Sequence, residues 1–266
     1  MELDLEVCRV IAVRNGLPLQ FVFKEFHLMH VLGRIAEFVA DKPDSLIFKG
    51  GTALNKVYTK TTQRFSEDAD FDLVIADADR KLLDYGKEIA KTMTDYKIDE
   101  FRKVGDTIQF YCRYETPLDG EDHVRVDIAP KRLVIAKPLE NRSIDSEFTR
   151  SSITGIRTYS IEDLTARKMY ALANRTEGKD VYDVSMALPM CNVNELKKAI
   201  SCMLESEGVG NTEVGLFIKK MIKQLERSNA TKQRNLTNPF IPLARRPKDW
   251  NELKGDLLLK LGKLVS

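Results

Sequence analysis

The sequence has little of what builds soft-metal sites or disulfide frames. Its 266 residues include four cysteines and three histidines, and Cys8, Cys112, Cys191 and Cys202 are scattered with no short paired spacing. That argues against a zinc site and against a disulfide scaffold. His27 and His30 share a helix face, but no third ligand of matching type lies nearby, so they read as core or surface histidines. No apolar run approaches the roughly 18 residues of a membrane span. Net charge is also scarce, at +2. These absences lead to the expectation of a cytoplasmic protein with no membrane partner.

What is present is a large folded core, with 43% hydrophobic residues. Apolar residues recur at helical spacing over 6–15 and again over 21–40, with Gly16-Leu17-Pro18 between them. In the second helix Lys24-Glu25 reads as a solvated charge pair. Leu46 to Phe48 reads as a buried strand, and 78–99 as an amphipathic helix. Thr107–Thr116 and His123–Ala129 alternate as a hairpin pair around Pro117-Leu118-Asp119-Gly120. Beyond Pro138 the pattern becomes mostly helical, with Ser160 and Asp163 forming a capping box ahead of a helix over 161–174. The polar junction near 140–158 suggests domains at 1–150 and 151–266. From 218 onward there are twelve Lys or Arg against four Asp or Glu, which is either a set of solvated helix faces or a surface for a polyanion such as RNA.

The chemistry concentrates between Leu46 and Ile75. Asp68, Asp70 and Asp72 alternate with Ala69, Phe71 and Leu73, which puts three carboxylates on one face of a strand, about 7 Å apart. Like charges in such a row repel, so something cationic should face them. Just before them, Lys49-Gly50-Gly51-Thr52 follows a strand and opens a helix, a turn whose backbone N–H groups suit a phosphate. Asp127 lies on the polar face of a later strand, with Arg125. Aligned carboxylates beside a phosphate turn suit Mg²⁺ or Mn²⁺ shared with a nucleoside triphosphate. No G-x-x-x-x-G-K-[ST] occurs, so the turn is not a P-loop. From the residues alone, the acidic pair can be Asp68 with Asp70 or Asp70 with Asp72.

FKGGTALNKVY followed by RFSEDADFDL closely resembles the AbiEii/AbiGii nucleotidyltransferase toxins of the DNA polymerase β superfamily. The resemblance continues in VFKEFHL, VRVDIA and SIEDLTARKMYALANRTEGKDVYDV. It implies an α+β nucleotidyltransferase fold, a mixed sheet with flanking helices followed by a helical C-terminal domain. The family pattern R-x-S-x-D-x-D selects Asp68 and Asp70 as the metal pair, with Asp127 as third carboxylate and Asp72 as a neighbour. It implies a nucleotide site at Lys49, Gly50, Gly51, Thr52 and Ser66, with Lys168 meeting the triphosphate and Asp183, beside Asp180, in an acidic motif. Lys179 stands where the family usually has Arg. The activity implied is transfer of NMP from an NTP to an acceptor hydroxyl, on RNA and most plausibly tRNA, by a toxin neutralised by a separate antitoxin. A small-molecule or protein acceptor, and a non-catalytic nucleotide- or RNA-binding module, are the competing readings.

Overall fold

A computed structural model of the chain describes residues 3–265, which divide into two compact units. The first comprises residues up to Arg132, then Glu140–Thr158 and Pro242–Ala244. The second comprises Leu133–Leu139, Tyr159–Ile241 and the chain from Arg245. The junction foreseen at 150 therefore falls inside the last long piece of the first unit.

The first unit begins with α1 (Leu5–Asn15) and α2 (Leu19–Phe38), separated by Gly16 in the left-handed region at φ 61. Strand β1 (Leu46–Lys49) runs directly into the short helix α3 (Gly50–Ala53), which loosens into a π turn over Leu54–Tyr58. Strand β2 (Asp68–Leu73), helix α4 (Ala78–Thr92) and strands β3 (Lys97–Val104), β4 (Thr107–Thr116) and β5 (Gly120–Pro130) follow. Four short strands close the unit: β6 (Glu140–Asn141), β7 (Ile144–Ser146), β8 (Ser151–Ile153) and β9 (Arg157–Thr158).

Seven strands form one mixed sheet in the order β3-β4-β5-β2-β1-β9-β6, while β7 and β8 pair separately. Period-two alternation sets its faces: Ala69, Phe71 and Leu73 of β2 and Val124, Val126 and Ile128 of β5 are wholly buried. Leu28, Leu32 and Ile35 of α2 are buried as completely, and Phe48 and Phe71 meet at 5.3 Å between ring centroids. Truncating Phe71 to Ala in such a core costs about 3–5 kcal/mol.

Two local expectations are corrected. The helix expected over 78–99 ends at Thr92, and residues 97–104 form edge strand β3. KIDEFRKV is mostly exposed and lacks clean apolar alternation, so pairing with β4 decides its state. Lys24 and Glu25 are not a solvated pair. Lys24 Nζ reaches Asp122 Oδ1 at 2.9 Å, and Glu25 is fully buried against the equally buried Lys56, also accepting from Ser146 Oγ. The π turn and the β7–β8 hairpin close over that face of α2, where periodicity alone suggested solvent. His27 and His30 both contact the Tyr96 hydroxyl, and His27 stacks on Tyr114 at 3.5 Å, which makes them packing residues.

The second unit is helical: α5 (Ile161–Arg175), α6 (Gly178–Ala187), α7 (Val193–Ser206), α8 (Val214–Arg227), α9 (Ala230–Thr237) and α10 (Trp250–Val265). Its core joins Met169, Leu172, Val181, Ile200, Ile218, Met221 and Leu257. Ser160 Oγ accepts from the Asp163 amide at 3.1 Å, which is the N-cap half of the expected box; the Asp163 carboxylate accepts from the Ser160 hydroxyl at 2.6 Å and from the Ala136 amide at 3.0 Å. No helix among the described residues is long and apolar enough to cross a membrane.

The Glu25–Lys56 pair yields a stability test. Removing one member strands a buried charge, so Glu25→Gln and Lys56→Met should each cost about 3–5 kcal/mol in denaturant unfolding. The double apolar variant Glu25→Leu/Lys56→Leu should recover most of that loss. Single variants within about 1 kcal/mol of the parent would contradict this account.

Candidate active site

Strand register assembles the site. Lys49 of β1 pairs with Asp70 of β2, Asp70 pairs with Asp127 of β5, and Asp68 pairs with Arg125. Paired residues on neighbouring strands share a face, so three carboxylates and two cations converge there. Arg125 holds the outer two acids, with its guanidinium 2.6 Å from Asp68 Oδ2 and 3.3 Å from Asp127 Oδ2. Gln109 Nε2 donates to Asp127 Oδ1 at 3.0 Å.

Asp70, between them, is half-buried. Burial pushes its carboxyl up to about 6, reinforced by the charges of Asp68 and Asp127, while Lys49 and Arg125 pull the other way. The two cations therefore do not fully offset the three acids. Asp72 differs: it is fully buried, and Lys49 Nζ lies 2.5 Å from its carboxylate. The three aspartates of β2 thus have different environments despite sharing a face.

The phosphate-turn candidate lies against this row. Gly50 has φ +77, and a Cβ built there would fall 2.2 Å from Asp70 Oδ2. Only glycine gives that conformation cheaply and leaves the carboxylate its place. Thr52 is buried, and its hydroxyl donates to the Asp68 carbonyl at 2.6 Å, tying the turn to the acidic strand. Asn55 ties the turn at its other end: its amide donates to the Gly51 carbonyl and its oxygen accepts from the Arg64 amide. Ser66, 2% exposed, has a buried hydroxyl with no hydrogen-bond partner among the described residues.

Lys168, Asp180 and Asp183 lie in the second unit, as a cluster of their own. Lys168 Nζ sits 2.7 Å from Asp180 and 2.9 Å from Asp183, both fully buried, and Arg175 makes a two-point bond to Asp180 at 2.7 and 3.0 Å. Lys179 lies over the Phe240 ring at 3.6 Å. Arg125 and Gln109 are the site residues that the sequence reading did not assign. The signal for Arg125 was its place two residues before Asp127 on the same face.

The donor set suits a hard divalent cation, being all carboxylate oxygen with one acid short of neutralisation. Among the described residues, no three acidic, His or Cys side chains already converge closely enough to hold a metal. The Arg125 guanidinium, which bridges Asp68 and Asp127, is the group that would have to yield.

A mixed sheet carrying this acidic face after a strand–Gly-Gly–helix turn is a nucleotidyltransferase fold. MenT4, a nucleotidyltransferase toxin from Mycobacterium tuberculosis H37Rv, superposes with a TM-score of 0.61 at 16% identity, covering 100% of both chains. JHP933 from Helicobacter pylori gives 0.57 at 19% identity, covering 94% of this chain and 93% of its own. At these identities the likeness is one of fold. The family model described as nucleotidyl transferase AbiEii toxin, type IV toxin–antitoxin system, matches residues 35–263, and the chain belongs to that family. No curated protein matches it.

A raised Asp70 pKa has a definite sign for stability. The folded state holds this proton more tightly than the unfolded chain does. The resulting penalty is absent below about pH 4, grows up to about pH 6 and is complete above it. At about 1.4 kcal/mol per pH unit, and reduced because Asp70 is partly open to water, it amounts to about 2 kcal/mol. Asp70→Asn should therefore raise the unfolding midpoint near pH 8 in chelator, an advantage that disappears near pH 4. A variant no more stable than the parent near pH 8 would rule this out.

Proposed function

We propose that the protein is a metal-dependent nucleotidyltransferase that moves NMP from an NTP to an acceptor hydroxyl on RNA, with tRNA the first candidate. The observation that supports this best is Asp70. Its carboxylate is flanked by Asp68 and Asp127, is short of positive charge, and lies against a glycine whose missing Cβ is what gives it room.

In this reading the backbone amides of Gly50, Gly51 and Thr52 receive the phosphates, beside Lys49, and the unpartnered Ser66 hydroxyl donates to a phosphate oxygen. Asp68, Asp70 and Asp127 are the residues that would hold Mg²⁺ or Mn²⁺. Bound there, the ion would supply Lewis acidity toward the hydroxyl and the phosphate oxygens. Asp127, already oriented by Gln109, accepts the proton of the attacking hydroxyl. The hydroxyl oxygen bonds to the α-phosphorus, the bond to the bridging oxygen breaks, and pyrophosphate leaves. Arg125 gives up its bridge between Asp68 and Asp127 and remains as a counter-charge to the phosphates. Lys168, held by Asp180 and Asp183, keeps its proposed role toward triphosphate charge. A cognate antitoxin is part of the same proposal.

The test combines the protein, Mg²⁺, each labelled NTP in turn and total tRNA, with Asp70→Ala beside it. Label on tRNA that the variant loses by at least a hundredfold is the expected result. Label on protein or on small molecules instead would replace the RNA acceptor, and nucleotide binding with no transfer would leave a binding module. In cells, growth arrest on expression should depend on Asp70 and be relieved by a neighbouring gene.

A further inference from the structure

A cleft of about 530 Å³ opens in the second unit between the end of α5, the start of α6 and helix α9. It adjoins the Lys168 cluster through Arg175, which bonds to Asp180, and its rim is basic. Arg175, Lys179 and Lys232 line it against one acid, Glu177. Lys232 is exposed, and among the described residues no ion pair engages its ammonium.

Two details separate this cleft from an ordinary charged surface. Helix α6 starts at its wall without a side-chain cap, because Glu177 at the N-cap makes no such bond. Its first residue, Gly178, leaves no room for a side chain, since a Cβ there would meet Thr237 Oγ1 at 2.3 Å and the Gln233 carbonyl at 2.5 Å. The helix start and α9 are therefore pressed together. Independently, Gln233 lines the cleft, is 4% exposed, and has an Oε1 with no hydrogen-bond partner among the described residues. Its amide orientation is fixed, because Nε2 donates to the Thr176 carbonyl at 2.9 Å. What remains unpartnered at Gln233 is a buried acceptor.

A ligand for this cleft must present negative charge to the lysines and the helix start, and a hydrogen-bond donor to Gln233. Inorganic sulfate meets only the first requirement, and DNA backbone lacks a sugar hydroxyl. A ribose-phosphate unit meets both, through its phosphate and its 2′-hydroxyl. We infer that the cleft between α6 and α9 is a subsite for one ribose-phosphate of the acceptor RNA, with Lys232 on the phosphate and Gln233 Oε1 on the 2′-hydroxyl. The basic balance of residues 218–266, twelve Lys or Arg against four Asp or Glu, extends the favourable field around it. This inference deepens the proposed RNA-directed transfer and rests on it for the identity of the strand.

The test uses the full-length protein and a fluorescein-labelled single-stranded RNA, beside DNA of the same sequence, followed by anisotropy across a salt series. Lys232→Ala, a change at an exposed side chain, should weaken RNA binding about threefold to tenfold and flatten the salt dependence by about one phosphate contact. Gln233→Met should reduce the preference for RNA over DNA while leaving DNA binding unchanged. Unchanged RNA binding in Lys232→Ala, or equal binding of RNA and DNA by the parent, would overturn the subsite. The transfer assay separates the two ideas. Transfer to RNA that is indifferent to Lys232 removes the subsite and keeps the function, whereas RNA binding that depends on Lys232 without any transfer does the reverse.

Discussion

Mutual repulsion among Asp68, Asp70 and Asp127 is the constraint around which the first unit is arranged. Carboxylates on adjacent strands of one sheet face are destabilising unless cations or hydrogen bonds answer them. Arg125 answers the outer two and Gln109 one oxygen of Asp127, while Lys49 is spent mainly on Asp72. Asp70 is left carrying the unresolved charge, and Gly50 must be glycine so that its carboxylate fits at all. A folded protein keeps such an arrangement when its deficit matches what a ligand brings, so strain of this kind points to a site and away from a scaffold role.

Two other buried clusters answer their acids with direct cation contacts. Lys56 reaches Glu25 from the π turn that follows Gly50-Gly51-Thr52, and thereby ties that turn to α2. In the second unit Asp180 receives both Lys168 and Arg175, and Asp183 receives Lys168. Burial holds Asp180 toward the neutral form, yet the bonds from Arg175 and Lys168 prevail and bring its pKa down. The contrast with Asp70, a half-buried acid whose pKa goes up, is a contrast in partners more than in depth. Buried pairs like these add little net stability over apolar packing, but they fix which residues face each other.

Much of this was legible in the sequence because it depends on short-range patterns. The acidic alternation of β2, the Gly-Gly turn, the hairpin with Asp127 and the Ser160 cap all declare themselves within a few residues. The fold class and family followed from their order along the chain. What stayed hidden depends on long-range partners. Glu25 meets a lysine 31 positions away, which no helical periodicity announces. Strand β3 has no apolar alternation of its own and exists through pairing with β4, and within the polar stretch 140–158 strands β9 and β6 join the sheet only because β1 offers an edge to β9. The bridge formed by Arg125 needed the parallel register of β2 with β5, which sets it opposite Asp68.

Asp72 shows how tertiary context divides what periodicity unites. By alternation it is equivalent to Asp68 and Asp70, and an acidic pair in either register satisfies the local pattern. Its depth breaks the tie: at the buried end of β2 an ionised carboxylate needs a dedicated cation, and Lys49, one strand away, supplies it. That choice has a cost at the other end of the row, because the lysine bonded to Asp72 reaches Asp70 only as a neighbouring charge. The same lysine that makes Asp72 a structural acid thereby leaves Asp70 the acid with an unmet demand for positive charge.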